Sequence, residues 1–293
     1  MLEEKRKKLR LANILTYALF AVISLLAYFL PLNGNNVLSL ELKYPNLVSG
    51  PAFVWYLFFI VLIGLAIFTR FQARNMAFRD NLTGRTLDAL GWTASTAYIL
   101  YIITIVLWHF EMLTLTLIVL VLVNVVLLIA NGNIRENPDV MEEKFWVRNP
   151  FSLFFAWTLY LLMNTIAMRW HTAFSDELAA VILLVVFMAL ALSFAFFNMN
   201  IGVPIAWLLI LIFKQIQYVD SYMFRMVAWA GIGAMIFMIV LIGRKDPFQH
   251  YFRKPVSRAM DKYNYGRESE LEELEDELNK KLQTKPGGRI TFR

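Results

Sequence analysis

The length of its apolar runs most constrains what this chain can fold into. The stretch "LTLTLIVLVLVNVVLLIANG" (113–132) carries no charged residue. A helix needs about 20 mostly apolar residues to cross a bilayer's hydrocarbon core. Only helices and closed barrels can satisfy their backbone polar groups there. Comparable runs recur at 12–32, 51–71, 90–109, 111–131, 150–170, 177–197, 201–218 and 221–243. Polar clusters at "WHFEM" (108–112) and "NMNIG" (198–202) interrupt runs too long for one crossing, and so divide helices. The expectation is an all-α polytopic membrane bundle of about eight transmembrane helices. Its composition agrees: 59% hydrophobic residues, 17% charged, mean hydropathy +0.55.

The net charge of +6 sits in short loops between these runs, which reads as membrane topology and not as a nucleic-acid surface. Lys5, Arg6, Lys7, Lys8 and Arg10 precede the first run. Arg70, Arg74, Arg79 and Arg85 fall in the second connection, Arg135, Lys144 and Arg148 in the fourth, and Arg244, Lys245, Arg253 and Lys254 after the last run. The opposite side holds only Lys43, Arg169, Lys214 and Arg225. The positive-inside rule then puts both termini in the cytoplasm, with the protein in the cell membrane. The first run is too long for a signal peptide's h-region of about 7–15 residues and reads as a retained span. There are no cysteines, so disulfides and thiolate chemistry are excluded.

After Gly243 the composition turns charged. Residues 246–293 read as a cytoplasmic tail. Its segment "SELEELEDELNKKLQ" combines a capping-box spacing, Ser269 to Glu272, with a stripe of Leu271, Leu274, Leu278 and Leu282. Two heptads are short for a coiled coil, and a surface or self-associating helix is expected.

No Asp, Glu, Lys or Arg lies near the centre of an expected span. Ion-driven carriers keep such residues there, so charge-coupled transport is not expected. The motifs of serine hydrolases, zinc proteases and P-loops are missing, and no enzyme activity is expected. His109 and His171 each follow a tryptophan, with Glu111, Asp176 and Glu177 on the same side. They could form a metal or haem-iron site at the outer mouth. The plainer reading makes each Trp an interfacial anchor and leaves the histidine in water. His250 lies in the tail without an evident role.

Trp55, Trp92, Trp108, Trp146 and Trp170 fall near expected interfaces, where anchoring accounts for them. Trp157, Trp207 and Trp229 lie deeper, where anchoring does not apply. On 150–170, Leu153, Trp157, Tyr160, Asn164, Met168 and His171 recur at helical spacing on one face. That face either packs on neighbouring helices, with Asn164 bonding across, or walls a flat ligand site of π faces and one amide. Periodicity leaves both readings open.

"PFSLFFAWTLYLLMNTIAMRW" (150–170) resembles the fifth helix of the tryptophan-rich sensory protein, or translocator protein (TspO/MBR), family, through Pro150, Trp157, Asn164 and Trp170. "LPLNGNNVLSLELKYPNLVSGPAFVWYLFFIVLIGLA" (30–66) resembles that family's first loop and second helix, and "LWHFEM" (107–112) its tight third-to-fourth connection. The chain departs at its third helix, where Tyr101 and Thr104 stand at positions that usually carry Asn and Trp. Pro51 alone remains of the prolines before the second helix.

The resemblance implies a five-helix core over 1–172, three added spans over 173–245 and the tail over 246–293. It also implies a ligand site of Trp157, Asn164, Tyr160, Trp55, Pro51, Tyr44, Pro45 and Asn46. The ligand would be a porphyrin or haem-like tetrapyrrole, with no cofactor required, in a chain that partners the lipid bilayer and admits a homodimer. Two further readings stand beside it. One is a small-solute transporter or channel using Asn124, Asn164, Asn198 and Asn200 as polar waypoints. The other is a scaffold that recruits partners through its tail.

Overall fold

The computed structural model describes residues 2–73, 82–137, 147–217 and 220–245. Trp146, Arg74, Arg79, Lys144, His250 and the leucine stripe of the tail lie outside them. The described residues belong to one compact unit. They form ten α-helices: α1 Leu2–Phe29, α2 Val37–Lys43, α3 Tyr56–Ala73, α4 Leu82–Leu90, α5 Thr93–His109, α6 Leu113–Glu136, α7 Asn149–Arg169, α8 Glu177–Asn198, α9 Gly202–Ile216 and α10 Tyr222–Lys245. A 3-10 turn over Ala52–Trp55 leads into α3.

Each expected span is occupied by a helix, and this is a polytopic helical membrane bundle. Six helices (α1, α3, α6, α7, α8, α10) are long and apolar enough to cross a membrane unaided. The pair α4–α5, bent by 55°, passes the same test together, so by length and composition the described residues supply six spans, or seven with that pair, against the eight expected. The bend falls at Gly91, whose φ of +52° only glycine adopts without strain. The run at 201–218 becomes α9, only 15 residues long. At 1.5 Å per residue it rises about 22 Å, short of the ~30 Å hydrocarbon thickness. The first helix begins earlier than its apolar run because Glu, Lys and Arg are good helix formers. Arg6 also pairs with Asp88 on α4, which extends the helix through the basic segment.

Helix α7 is the hub and packs against α3, α6, α8 and α9. Its apolar residues are buried almost all round, whereas α6 exposes Leu115, Ile118, Val121, Leu122 and Val125 as a face for lipid. Lipid tails are as apolar as leucine, so close packing and interhelix hydrogen bonds must hold such a hub. Thr158 Oγ1 donates to Asn124 Oδ1 at 3.1 Å, and Ser152 Oγ to Asn131 Oδ1 at 3.1 Å, joining α7 to α6. Asn200 Nδ2 donates to Ser152 at 2.5 Å, while Arg148 donates to the carbonyls of Asn198 and Met199. Asn198 Nδ2 donates to Phe194 O within α8 at 3.1 Å. The asparagines weighed as solute waypoints are thus engaged in bonds within and between helices.

The tryptophans sort differently from their sequence depth. Trp157 and Trp207 are buried as expected, but Trp229 is 55% exposed on the outside of α10. A helix presents residues to lipid at any depth, so distance from its ends does not predict contact with protein. Trp92 and Trp170 are exposed, as anchors should be. Trp55 and Trp108 are not anchors: both turn inward and are at most 5% exposed.

Candidate functional site: an aromatic chamber beneath a strap

Residues 33–50 cross one end of the bundle as an ordered strap. Asn36 starts α2 with a capping box: its side chain accepts from Ser39 N at 2.7 Å, while its own backbone N–H donates to Ser39 Oγ at 2.8 Å. On the outer face Glu111 gathers the strap. Its carboxylate accepts from Asn35 Nδ2 at 2.9 Å, Lys43 Nζ at 2.6 Å and Tyr44 Oη at 2.8 Å. The bond from Lys43, followed by that from Tyr44, holds this carboxyl below its usual range. Asn46 closes a tight turn by accepting from Val48 N and Ser49 N, and Leu47 N donates to Phe174 O at 3.2 Å. The strap seats directly on α7 through Ser49, Gly50 and Glu41.

The inner face of the strap carries a buried polar seat. Asn164 uses both ends of its amide there: Nδ2 donates to Glu41 Oε1 at 2.7 Å, and Oδ1 accepts from Ser49 Oγ at 2.6 Å. One turn back on α7, the Tyr160 hydroxyl accepts from Gly50 N at 3.0 Å. A Cβ at residue 50 would lie 2.7 Å from that hydroxyl, so only glycine allows this approach. Lys214 of α9 reaches in to donate to the carbonyl of Ser49. Burial pushes the Glu41 carboxyl up to about 7, partly offset by the Trp55 indole, the Asn164 bond and the Lys214 charge. The Trp55 N–H lies near this carboxyl but makes no hydrogen bond of normal geometry among the described residues.

Below the seat, aromatic rings fill the bundle. Trp55 meets Trp157 edge-on with centroids 5.1 Å apart and Trp108 at 6.1 Å. Phe58 stacks on Tyr101 at 5.5 Å, and the Trp157 N–H donates to the Tyr101 hydroxyl at 2.8 Å. Between them lies a cavity of about 30 Å³, lined by Ser24, Trp55, Phe58, Tyr101, Thr104 and Trp108, among others. Three of its lining residues bring buried donors with no partner among the described residues: Ser24 Oγ, Trp55 Nε1 and Trp108 Nε1. Buried donors without acceptors are costly, about 1–3 kcal/mol each, and rare in native interiors.

The residues singled out in the sequence separate into three groups. Trp55, Trp157 and Tyr160 come together in one ring cluster, of which Trp55 lines the cavity, with Pro51 buried at the head of the 3-10 turn. Asn164 clamps the strap and does not bridge transmembrane helices. Tyr44, Pro45 and Asn46 lie away from the chamber. Tyr44 turns outward to Glu111 and meets His171 ring to ring at 5.5 Å, Pro45 is exposed, and Asn46 serves its own turn. His109 does not meet water: it is buried, its two ring nitrogens facing the carbonyls of Ile105 and Ala27. Among the described residues no cluster of three metal-binding side chains exists.

Glu41, Ser49 and Lys214 were not legible as site residues. Glu41 and Lys214 read as ordinary loop charges, because an apolar span count cannot show a loop folding its carboxyl inward. The nearest signal was the apolar spacing of "LELKYPNLV" (40–48), which implies a packed segment. Tyr101 and Thr104, read as departures from a family pattern, both line the chamber.

A profile of the family described as TSPO-like protein matches residues 10–243. No curated protein and no solved structure matches the chain. The match runs from α1 into α10, past residue 172, and the chain belongs to the TSPO-like family.

Proposed function

From this membership in the TSPO-like family we propose a sensor or carrier for a flat apolar ligand, with a tetrapyrrole the best-suited class. One observation carries the reading: Trp108 Nε1 and Ser24 Oγ are buried donors with no partner among the described residues, beside a cavity walled by aromatic rings. Ring faces suit a planar π system, and fixed donors suit its polar edge. A porphyrin is far larger than 30 Å³, so this arrangement corresponds to a closed form. Admission requires the strap to lift from Asn164 and Tyr160 and the rings to part. A ligand favouring the open form shifts that equilibrium and so is sensed. The chain acts by binding and not by covalent chemistry. It sits in the cytoplasmic membrane with its N-terminus inside, which turns the strap outward.

The test is protoporphyrin IX titrated into the purified full chain, read by tryptophan fluorescence. Saturable quenching is expected. Trp55→Leu and Trp108→Leu each weaken binding by about 1–3 kcal/mol, the usual range for an aromatic anchor. Trp229→Leu, on the lipid face, leaves affinity unchanged. Quenching that does not saturate, or that weakens equally in all three variants, contradicts the assignment.

A further inference from the structure

A second cavity lies on the flank of the bundle, away from the chamber, with a volume of about 260 Å³. Its origin is architectural. Helices α3 and α9 each pack against α7 but scarcely touch one another, so a cleft remains between them with α7 as its floor. Leu57 and Val61 form one wall, Ala206 and Leu209 the other, and Leu153 and Trp157 the floor. Ile60 on its rim is 48% exposed, on a helix that spans the membrane, so the cleft opens sideways into hydrocarbon. Near the strap the 3-10 turn touches α9 and closes it. At the opposite end stands Asn149, whose Oδ1 is buried and has no partner among the described residues.

The geometry points to a binding site for a single-chain lipid alcohol, its alkyl tail along α7 and its hydroxyl donated to Asn149 Oδ1. The volume decides for one chain. A methylene takes roughly the share of a water, ~30 Å³, so the cleft accepts about nine, too few for two tails or a fused ring system. From Asn149 to Trp157 the floor runs about 12 Å along the helix. The acceptor decides for an alcohol. A phosphatidylcholine has no O–H or N–H to donate, whereas an unpaired amide oxygen at the end of an apolar cleft needs such a donor. Position agrees as well, because Asn149 begins α7, at the level where a lipid's polar end lies. Trp157 is shared between cleft and chamber: its N–H holds Tyr101 while its ring lines the cleft.

The experiment uses the full chain in phosphatidylcholine nanodiscs with a diazirine-bearing nonanol, cross-linked by light and mapped by mass spectrometry. The expected labels fall on 153–157 and 205–210 and disappear with excess plain nonanol, although phosphatidylcholine is already in large excess. Ala206→Trp fills the cleft and lowers labelling there at least tenfold. Asn149→Leu, at the cleft's end and less disruptive to packing, lowers it about fivefold, the worth of one hydrogen bond. Melting temperature reports folding of both variants, and Asn149→Leu decides alone if Ala206→Trp does not fold. Labelling spread equally over Ile118 and Leu128, or cleft labelling that Asn149→Leu leaves unchanged, overturns the site. A probe carried on phosphatidylcholine that labels the cleft as strongly overturns the requirement for a hydroxyl.

Discussion

Asn164 Nδ2 donates to Glu41 Oε1 at 2.7 Å across 123 residues of chain, joining the last third of the hub helix to the strap. The same amide accepts from Ser49, so one side chain holds the strap at two points. An asparagine within an apolar helix is thereby satisfied entirely by a loop.

Asn164→Leu should leave the bundle folded but free the strap. It deprives a buried carboxyl and a buried hydroxyl of partners, a loss of about 1–3 kcal/mol in strap closure. Amide hydrogen exchange over 36–50 should accelerate by tenfold or more, with α6 and α8 unaffected. Unchanged exchange over 36–50 would show that Glu111 alone holds the strap.

Strap closure should weaken as pH rises. Burial raises the Glu41 carboxyl from 4.5 to about 7, so the seated strap binds a proton more tightly than the released one. The contribution is complete below about pH 4.5 and is lost as pH rises through 7, at most about 3 kcal/mol. Lys214, the charged group that faces Glu41 from α9, and the neutral Asn164 and Trp55 limit the shift without reversing it. Exchange over 36–50, corrected for intrinsic rates, should be slower at pH 5 than at pH 8. Glu41→Gln should remove this dependence; if it persists in that variant, another group is responsible.

Trp157→Phe should cost stability mainly through Tyr101. The indole is 1% exposed, and its N–H is the partner of a hydroxyl that is equally buried. A loss of about 1–3 kcal/mol is expected, and Trp157→Phe with Tyr101→Phe should recover part of it, since both polar groups are then gone. Additive losses in the double variant would contradict a coupled pair.

Both ends of the bundle can be placed by labelling. Leu42 is 82% exposed on the strap, and Lys8 lies at the other end, on the basic first helix. Leu42→Cys should react with a membrane-impermeant maleimide in intact cells, and Lys8→Cys only after permeabilisation. The reverse pattern would invert the topology argued from Lys and Arg.

The spans and the hub face were legible because hydrocarbon imposes a strict length and helical spacing imposes a strict period. Trp157, Tyr160 and Asn164 do share one face, though that face divides its work between ring packing and strap seating. Trp108 and His109 were misjudged because their place near a helix end suggested water, while α5 packs against α1 and both side chains are buried. Lys214 and Glu41 were invisible as partners, since nothing in linear spacing tells that α9 and α2 converge on Ser49. The lateral cleft had no sequence signal either, as it arises from two helices that lean on a third.

The most direct test of the central claim is hydrogen exchange over 36–50 in the full chain, with and without saturating protoporphyrin IX, in wild type and Trp55→Leu. The account predicts that porphyrin changes exchange across the strap in wild type, and that Trp55→Leu needs about 5- to 100-fold more porphyrin for the same change. Strap exchange indifferent to porphyrin at concentrations that quench fluorescence, or a response identical in Trp55→Leu, would contradict a chamber beneath the strap.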